Sequence, residues 1–250
     1  MYLTFDSETT GLPKNFKAPI SDSENWPRLV QLAWQINDKK GHLIDNKSHI
    51  IKPNNFTIPY NSEKIHGIST QDAIDKGMEL LIVLKDFEND LTKCKYIIGH
   101  NINFDKNILG AEYYRENIET KLLDKISIDT GQISKRYCNL KGGFGGGLKM
   151  PKLIELYEIL FGEKFSDAHD AAFDVNATAK SFFELLKKGE YRNEDSTPNE
   201  ISYVSPKIKI SNFSKKNNTT TIIDEKKNTK IKSNFIHLHN HSQYSILQAT

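Results

Sequence analysis

The chain has 250 residues, of which 37% are hydrophobic and 26% are charged, which is typical of a soluble globular protein with room for one good core. Its formal net charge of +2 is too close to neutral for composition alone to indicate a nucleic-acid partner. Cys94 and Cys138 lack metal-ligand spacing, so we expect neither a disulfide framework nor a cysteine-based zinc site. The amino terminus lacks a signal-peptide pattern and no apolar stretch is long enough to span a bilayer, so we expect a cytoplasmic protein without a membrane partner.

The first predicted strand lies in MYLTFDSETTGL and ends with two acidic residues on one face. In an extended chain the side chains at i and i+2 point to the same side, so Asp6 and Glu8 stand next to each other at the carboxyl end of the strand. Two such charges about 4 Å apart repel by roughly 4 kcal/mol at an effective dielectric of about 20. A positive group is therefore expected between them, either a Lys or Arg side chain or a metal ion.

The next elements follow in a regular order. After a Pro-, Asn- and Ser-bearing excursion over residues 11–28, LVQLAWQIND and HLIDNKSHIIKP predict two strands joined near Gly41 as an antiparallel hairpin. ELLIVLKDFENDL predicts a helix, KYIIGHN a short buried strand, residues 104–117 a helix, ISIDT a strand and GQISKRY a helix. Two further helices are PKLIELYEILFG, with Pro151 at its first position, and DAAFDVNATAKSFFELLKKG, closed by Gly189. This order predicts an α/β fold with a mixed sheet and helices on its faces.

Beyond about Tyr191 the composition changes. The stretch up to residue 234 is rich in Lys, Asn, Ser and Thr without a sustained period, which indicates a flexible and mildly basic linker. Residues 235–250, FIHLHNHSQYSILQAT, are apolar and rich in His again, as though a new domain begins there. The sequence therefore predicts three parts: a domain over 1–190, a disordered linker over 191–234, and the start of another domain over 235–250.

Two other places set acids next to histidines. In IIGHNINFDKNIL a short strand runs into a turn, and Asp105 lies at the start of the next helix, so His100, Asn101 and Asp105 would approach the acids of the first strand. In HDAAFD, His169 precedes Asp174 by five residues. Five helical residues turn through about 140°, so the two flank one site only if His169 lies in a looser first turn or just before the helix.

Four acids that converge with one histidine suit metal-assisted hydrolysis of a phosphodiester. Two divalent ions held roughly 4 Å apart can activate a water and stabilise the leaving oxygen. Hard oxygen ligands favour Mg²⁺ or Mn²⁺ over zinc. A histidine near the water, with an unperturbed pKa of about 6.5, can remove its proton.

The motifs FDSETTGL, HNINFD and HDAAFD resemble, in order and spacing, the three exonuclease motifs of the DEDDh (DnaQ-like) 3′→5′ exonucleases, and IHGIS resembles a further element, IHGIT. The resemblance covers about residues 1–188. It implies a ribonuclease H-like fold with a mixed five-stranded sheet flanked by helices. It further implies catalytic residues that hold two Mg²⁺ or Mn²⁺ ions, with His169 as the general base; the implied metal ligands are Asp6, Glu8, Asp105 and Asp174.

The same resemblance implies a set of residues that bind the terminal nucleotide. Thr9 and Thr10 would approach it through their backbone, while Leu12 would act as a wedge next to the last base and Phe104 would pack against it. His66 and Asn101 would line the substrate cleft. The full implied substrate-binding set is Thr9, Thr10, Leu12, His66, Asn101 and Phe104.

Residues 235–250 resemble the first segment of the polymerase-and-histidinol-phosphatase domain that opens the alpha subunit of bacterial DNA polymerase III. His237, His239 and His241 match the HxHxH start of that domain. An exonuclease joined in front of this subunit occurs in some bacteria. The resemblance therefore implies a proofreading module of a bacterial replisome, with single-stranded or frayed DNA 3′ ends as substrate and the alpha subunit as partner in cis or in trans.

Two alternatives remain open from the sequence. A 3′→5′ exoribonuclease would share the fold and the acids, because tolerance of the 2′-hydroxyl depends on the shape of the cleft. A non-catalytic docking module of the replisome would share the fold, although such a module would be expected to have lost one or more of the acids. For Asp129 a structural role is favoured over a role in the site, and Asp170 is a plausible capping residue and is left out of the site.

Overall fold

A computed structural model of the protein describes residues 1–142, 146–163 and 170–206. The strands are β1 (Tyr2–Thr9), β2 (Leu29–Asn37), β3 (Leu43–Ile50), β4 (Tyr96–Gly99) and β5 (Ile126–Asp129). The helices are α1 (Tyr60–His66), α2 (Thr70–Lys76), α3 (Leu80–Thr92), α4 (Ile102–Arg115), α5 (Thr130–Cys138), α6 (Leu153–Phe161) and α7 (Ala171–Lys188). Within the described residues, no helix combines the length and the apolar character needed to cross a lipid bilayer.

The strands form one mixed sheet in the order β3-β2-β1-β4-β5, with β1 at its centre. β1 pairs antiparallel with β2 and parallel with β4. Leu3 and Phe5 of β1 belong to the core on the side of α3 and α4, whereas Tyr2 belongs to the core on the side of α7. Because side chains alternate along a strand, Asp6 and Glu8 lie on the same face as Tyr2, toward α7.

The predicted α/β fold with a mixed five-stranded sheet flanked by helices is confirmed. β2 and β3 form the expected antiparallel hairpin, and Gly41 has a φ of 91°, a left-handed conformation that favours glycine. Its Cα also lies close to a core ring, since a Cβ there would come 3.1 Å from Cδ1 of Phe183. A larger residue at this turn would therefore meet both backbone strain and a steric conflict.

Four helices differ from the sequence expectation. The short helices α1 and α2 were not predicted, and α4 begins at Ile102 rather than at Phe104. α6 begins at Leu153, so Pro151 precedes the helix instead of occupying its first position. The carboxylate of Glu155 accepts a hydrogen bond from the backbone N–H of Lys152 at 2.8 Å, which fixes the start of the helix after the proline.

Residues 191–206, named here the C-terminal strap, pack against the sheet. The ring of Tyr203 stacks on Phe183 with centroids 5.3 Å apart and 15° between the planes. Its hydroxyl donates to Oδ1 of Asn176 at 2.8 Å and accepts from Nε2 of Gln35 at 3.2 Å. These contacts join the strap to both α7 and β2.

The earlier part of the strap is also held. The hydroxyl of Tyr96 donates to Asp195 at 2.8 Å, and the hydroxyl of Tyr2 donates to Oδ1 of Asn193 at 3.1 Å. Aromatic stacking and partly buried hydrogen bonds therefore hold residues 191–206, where the sequence predicts a flexible linker from residue 191. Residues 207–250, which include His237, His239 and His241, lie outside the described residues, so the division into three parts stays a prediction.

We predict that Tyr203→Ala lowers the free energy of unfolding by about 2 kcal/mol, because it removes a ring stacked on α7 and hydrogen bonds to α7 and β2. The measurement is urea unfolding followed by circular dichroism. Val204→Ala is the matched control, since Val204 is 74% exposed, and it should change the free energy by less than about 0.5 kcal/mol. Equal effects of the two substitutions would show that the strap adds no stability.

Candidate active site

Three carboxylates meet at the carboxyl end of β1. Asp6 and Glu8 come from the strand itself, and Asp174 comes from the first turn of α7. One side-chain oxygen of each lies within 4.8 Å of those of the other two. The expectation that Asp6 and Glu8 face the same side is therefore met, and α7 adds the third acid.

The fourth acid, Asp105, comes from the first turn of α4 and is 3% exposed. Its Oδ1 accepts two hydrogen bonds from Ser7, one from the backbone N–H at 3.0 Å and one from the hydroxyl at 2.6 Å. Ser7 lies between the two acids of β1 and, by alternation along the strand, faces α4. The sequence analysis did not identify Ser7 as a site residue. Its place between the two predicted ligands Asp6 and Glu8 could have indicated that its side chain supports the site from the other face of β1.

Burial and mutual repulsion raise the pKa values of three of these acids, Asp6, Glu8 and Asp105. Burial is the main cause that raises the pKa of Asp6, followed by repulsion from Asp105, Asp174 and Glu8. The pKa of Glu8 is raised by burial first and then by Asp174 and Asp105. Burial raises the pKa of Asp105 to about 7, although the hydrogen bonds from the neighbouring serine favour its ionised form.

The charged neighbours that shift the pKa values of Asp6 and Glu8 are all carboxylates, with Asp170 among them. No Lys or Arg side chain from the described ranges is one of these neighbours. Within the described ranges no salt bridge joins a Lys or Arg side chain to Asp6 or Glu8, so none of these side chains is the positive group expected between the two acids. Oxygen donors gathered in this way fit a hard divalent cation, and the residues that could hold it are Asp6, Glu8 and Asp174, with Asp105 adjacent.

A groove of about 410 Å³ opens next to Glu8. One wall is the segment that follows β1, and the other is α1 with the residue before it. Four of the six residues implied to bind the terminal nucleotide lie here. The residues that line the groove include Glu8, Thr9, Thr10, Leu12, Ile65 and His66.

Local hydrogen bonds fix the shape of this groove. The hydroxyl of Thr9 donates to the carbonyl of Gly11 at 2.7 Å, and the hydroxyl of Thr10 accepts from the backbone N–H of Arg28 at 2.9 Å. Nδ1 of His66 accepts from the backbone N–H of Ile68 at 3.1 Å. In the neutral ring the proton is then on Nε2, so His66 presents a donor rather than an acceptor at that atom.

The other two implied substrate residues lie outside the walls of this groove. Asn101 is exposed and has a left-handed backbone with a φ of 62°, and its N–H donates to Asp129 at 3.1 Å. Phe104 is half-buried and packs on the core below α4. Neither is among the groove-lining residues, although Phe104 directly precedes Asp105.

Two residues considered for the site have structural contacts instead. Both ring nitrogens of His100 are engaged, Nδ1 with the hydroxyl of Thr130 at 2.9 Å and Nε2 with the carbonyl of Pro151 at 2.8 Å. Asp129 caps α5 by accepting from the N–H of Gly131 at 2.9 Å. These contacts join the ends of β4 and β5 to the segment before α6.

Asp170 caps α7, as the sequence suggested, because its carboxylate accepts from the N–H of Ala172 at 3.0 Å. It also accepts from Nε2 of Gln31 at 3.2 Å, which ties the start of α7 to β2. His169, the implied general base, lies outside the described residues. Its role therefore stays a prediction.

Comparison with known proteins identifies one family and a set of similar bacterial proteins. A family model described as Exonuclease matches residues 3–182. A PolC-type DNA polymerase III from Mycoplasmopsis pulmonis is 29% identical over 181 residues, covering 72% of this chain and 11% of that protein. The corresponding polymerase of Latilactobacillus sakei is 28% identical over 198 residues, covering 75% of this chain and 11% of that protein. The chain thus spans about a ninth of the length of these relatives.

Among solved structures, E. coli exonuclease I in complex with a dT13 oligonucleotide matches with a TM-score of 0.59 and 24% identity, over 74% of this chain and 40% of that one. A zinc-bound form of the exonuclease I complex with single-stranded DNA matches with a TM-score of 0.58 and 23% identity, over 75% and 40% of the two chains. At this level of identity the likeness establishes the fold.

We predict that, in EDTA, the free energy of unfolding rises as the pH falls from about 8 to about 5. Burial and repulsion raise the carboxyl pKa values in the folded state, to about 7 for Asp105, so the folded protein takes up protons before the unfolded chain does. Asp6→Asn should stabilise the protein at pH 8 by about 1–2 kcal/mol and flatten this dependence, since one pKa unit corresponds to about 1.4 kcal/mol.

The measurement is urea unfolding at several pH values. Glu119→Gln is the control, because Glu119 is an exposed acid on the loop after α4, and its profile should match the wild type. A wild-type stability that falls steadily over the same pH range would contradict the repulsion inferred at this site.

Proposed function

Because this chain belongs to the exonuclease family, we propose that it is a metal-dependent 3′→5′ exonuclease that removes nucleoside monophosphates from DNA 3′ ends. Family membership makes the chain a nuclease, that is, a phosphodiester hydrolase. The observation that carries the finer proposal is the meeting of Asp6, Glu8 and Asp174 within 4.8 Å at the end of β1. Such a cluster is unfavourable without a cation and well suited to hold one.

Each acid has a distinct part in holding the proposed Mg²⁺ or Mn²⁺ ions. Asp6, Glu8 and Asp174 offer the converging oxygens, while Ser7 orients Asp105 from the opposite face of β1. We propose a pair of ions in this site. When bound, they would activate the attacking water and stabilise the charge that develops on the scissile phosphate and leaving oxygen.

The groove next to Glu8 supports binding of a terminal nucleotide. Leu12 and Ile65 give it apolar surface, and His66 of α1 forms part of the facing wall. Apolar and aromatic surfaces accept any base, because every base has a flat face on which to pack. Exonuclease I binds a dT13 oligonucleotide in the complex described above, which supports single-stranded or frayed DNA ends as the substrate here.

His169 is proposed as the general base that takes the proton from the attacking water. Its place in the chain, directly before the residue that caps α7, supports this role, because Asp174 follows in the first turn of the same helix. An imidazole with a pKa near neutrality matches the task at physiological pH.

The proposed biological role is proofreading as part of a bacterial replicative polymerase in the cytoplasm. The relatives are PolC-type DNA polymerase III proteins, of which this chain spans 11%. A polymerase catalytic subunit, joined in cis or bound in trans, would then be the partner that delivers mispaired 3′ ends.

We predict that the protein shortens a 5′-labelled single-stranded DNA from its 3′ end in Mg²⁺ or Mn²⁺ but not in EDTA. Asp6→Ala should lower the rate by at least about a thousandfold, because it removes a converging oxygen of the cation site. Gel analysis of the DNA and of an RNA of the same sequence measures the activity and its preference.

Glu119→Ala serves as the control for the loss of an acid away from the site and should retain the wild-type rate. His169→Ala should lower kcat by about a hundredfold or more. It should also remove the rise of kcat between pH 6 and 8 that we expect for the wild type. Faster loss of RNA than of DNA would identify an exoribonuclease. Tight binding of DNA ends without turnover in either metal would identify a docking module.

A further inference from the structure

The excursion loop, residues 11–28, has a fixed conformation although it contains no helix or strand. Oδ1 of Asn25 accepts from the backbone N–H of Asn15 at 2.7 Å, and Nδ2 of Asn25 donates to the carbonyl of Asn15 at 3.0 Å. The indole N–H of Trp26 donates to the carbonyl of Pro19 at 3.0 Å. These bonds join the outgoing and returning limbs of the loop across about ten residues.

The same loop is fastened to α4. The guanidinium of Arg115 donates to the carbonyl of Trp26 at 2.6 Å and also to the carbonyl of Ser23. Ile20 packs where α4 has Gly110, since a Cβ at Gly110 would lie 3.0 Å from Cγ2 of Ile20. The loop therefore takes its position from the helix that also carries Asp105.

This fastening places Phe16 next to Phe104, with the ring centroids 6.5 Å apart. Phe16 is 50% exposed, so half of its ring surface is open to solvent. Lys14 and Lys17 on either side of it are also exposed. No salt bridge of Lys14 or Lys17 is found within the described ranges, so their charges face solvent. An aromatic ring between two such lysines is the combination that binds a single strand without reading its sequence.

We infer that Phe16, Lys14 and Lys17 bind the nucleotides of single-stranded DNA that precede the terminal one, with the ring stacked on a base and the two ammonium groups on phosphates. The inference rests on the proposed exonuclease function. The groove next to Glu8 takes the terminal nucleotide, and Phe16 is not one of its walls. A strand that ends in this groove has to run onward over the neighbouring surface, and Phe16 adjoins the residue that precedes Asp105.

The first test compares two substrates that differ in what lies before the scissile bond. The 4-nitrophenyl ester of thymidine 5′-monophosphate has no preceding nucleotide, whereas the oligonucleotide dT8 has several. Phe16→Ala should raise KM for dT8 about tenfold with kcat unchanged within about twofold, and it should leave kcat/KM for the ester unchanged. Phe16→Trp should restore the wild-type KM, because it keeps a stacking surface.

Tyr114→Ala is the matched control, since Tyr114 is an aromatic residue of α4 that is 55% exposed. It should leave both substrates unaffected. Fluorescence anisotropy of labelled dT8 in EDTA measures the same contact without turnover, and Phe16→Ala should weaken this binding about tenfold.

The second test concerns the two lysines. For single strands, each neutralised phosphate contributes about −0.7 to the slope of log K against log salt, so Lys14→Gln with Lys17→Gln should reduce the magnitude of the slope by about 1.4. Lys39→Gln with Lys85→Gln makes the same change in net charge at exposed positions elsewhere. This control pair should leave the slope unchanged within about 0.3.

The outcomes separate this inference from the proposed function. Absence of wild-type turnover on both substrates would contradict the exonuclease proposal. In that case the anisotropy measurement of dT8 binding would still decide whether Phe16 contacts the strand. An active wild type with the same dT8 parameters in Phe16→Ala, or an equal loss on dT8 and on the ester, would overturn the inference. An unchanged salt slope in the double lysine variant would exclude the two phosphate contacts.

Discussion

Mutual repulsion among four carboxylates is the constraint around which the described structure is arranged. The folded chain holds Asp6, Glu8 and Asp174 within 4.8 Å of one another, with Asp105 near enough to raise the pKa of Asp6. Such an arrangement opposes folding at neutral pH unless a cation relieves it. The fold tolerates the repulsion because each acid comes from an element that is anchored in the core by its other residues: β1 is the central strand, and α4 and α7 pack on its two faces.

The alternation of side chains along β1 explains how one strand serves both layers. Asp6 and Glu8 face α7, while Ser7 faces α4 and holds Asp105 by two hydrogen bonds. The edge of the groove is tied to the same frame through Arg28. Its backbone N–H bonds to the hydroxyl of Thr10, and its guanidinium lies 3.0 Å from the buried carboxylate of Glu112 in α4. Cation site, groove and excursion loop therefore share α4 and β1 as common supports.

Much of this arrangement was predictable because it depends on short-range pattern. Period-2 alternation placed Asp6 and Glu8 together, and the order and periodicity of the elements in the first 190 residues predicted the mixed sheet and most helices. Contacts between residues that are far apart in the chain could not be predicted from the sequence. The bonds of His100 run to residues 30 and 51 positions further along the chain. The C-terminal strap has the composition of a polar linker, yet Tyr203 stacks on Phe183. Inspection of a short stretch of sequence does not reveal the partners of His100 or of Tyr203. Ser7 was also missed. It lies on the face of β1 opposite to Asp6 and Glu8, and its partner Asp105 is 98 positions further along the chain.

Direct counting of bound Mn²⁺ tests the central claim that these acids form a divalent cation site. The electron paramagnetic resonance signal of free Mn²⁺, followed during titration at pH 7.5, should show about two ions bound per wild-type chain. Asp6→Asn combined with Glu8→Gln should abolish this binding, whereas Asp129→Asn, which changes an acid at a neighbouring strand end, should preserve it. Wild-type Mn²⁺ binding in the double variant would contradict the account.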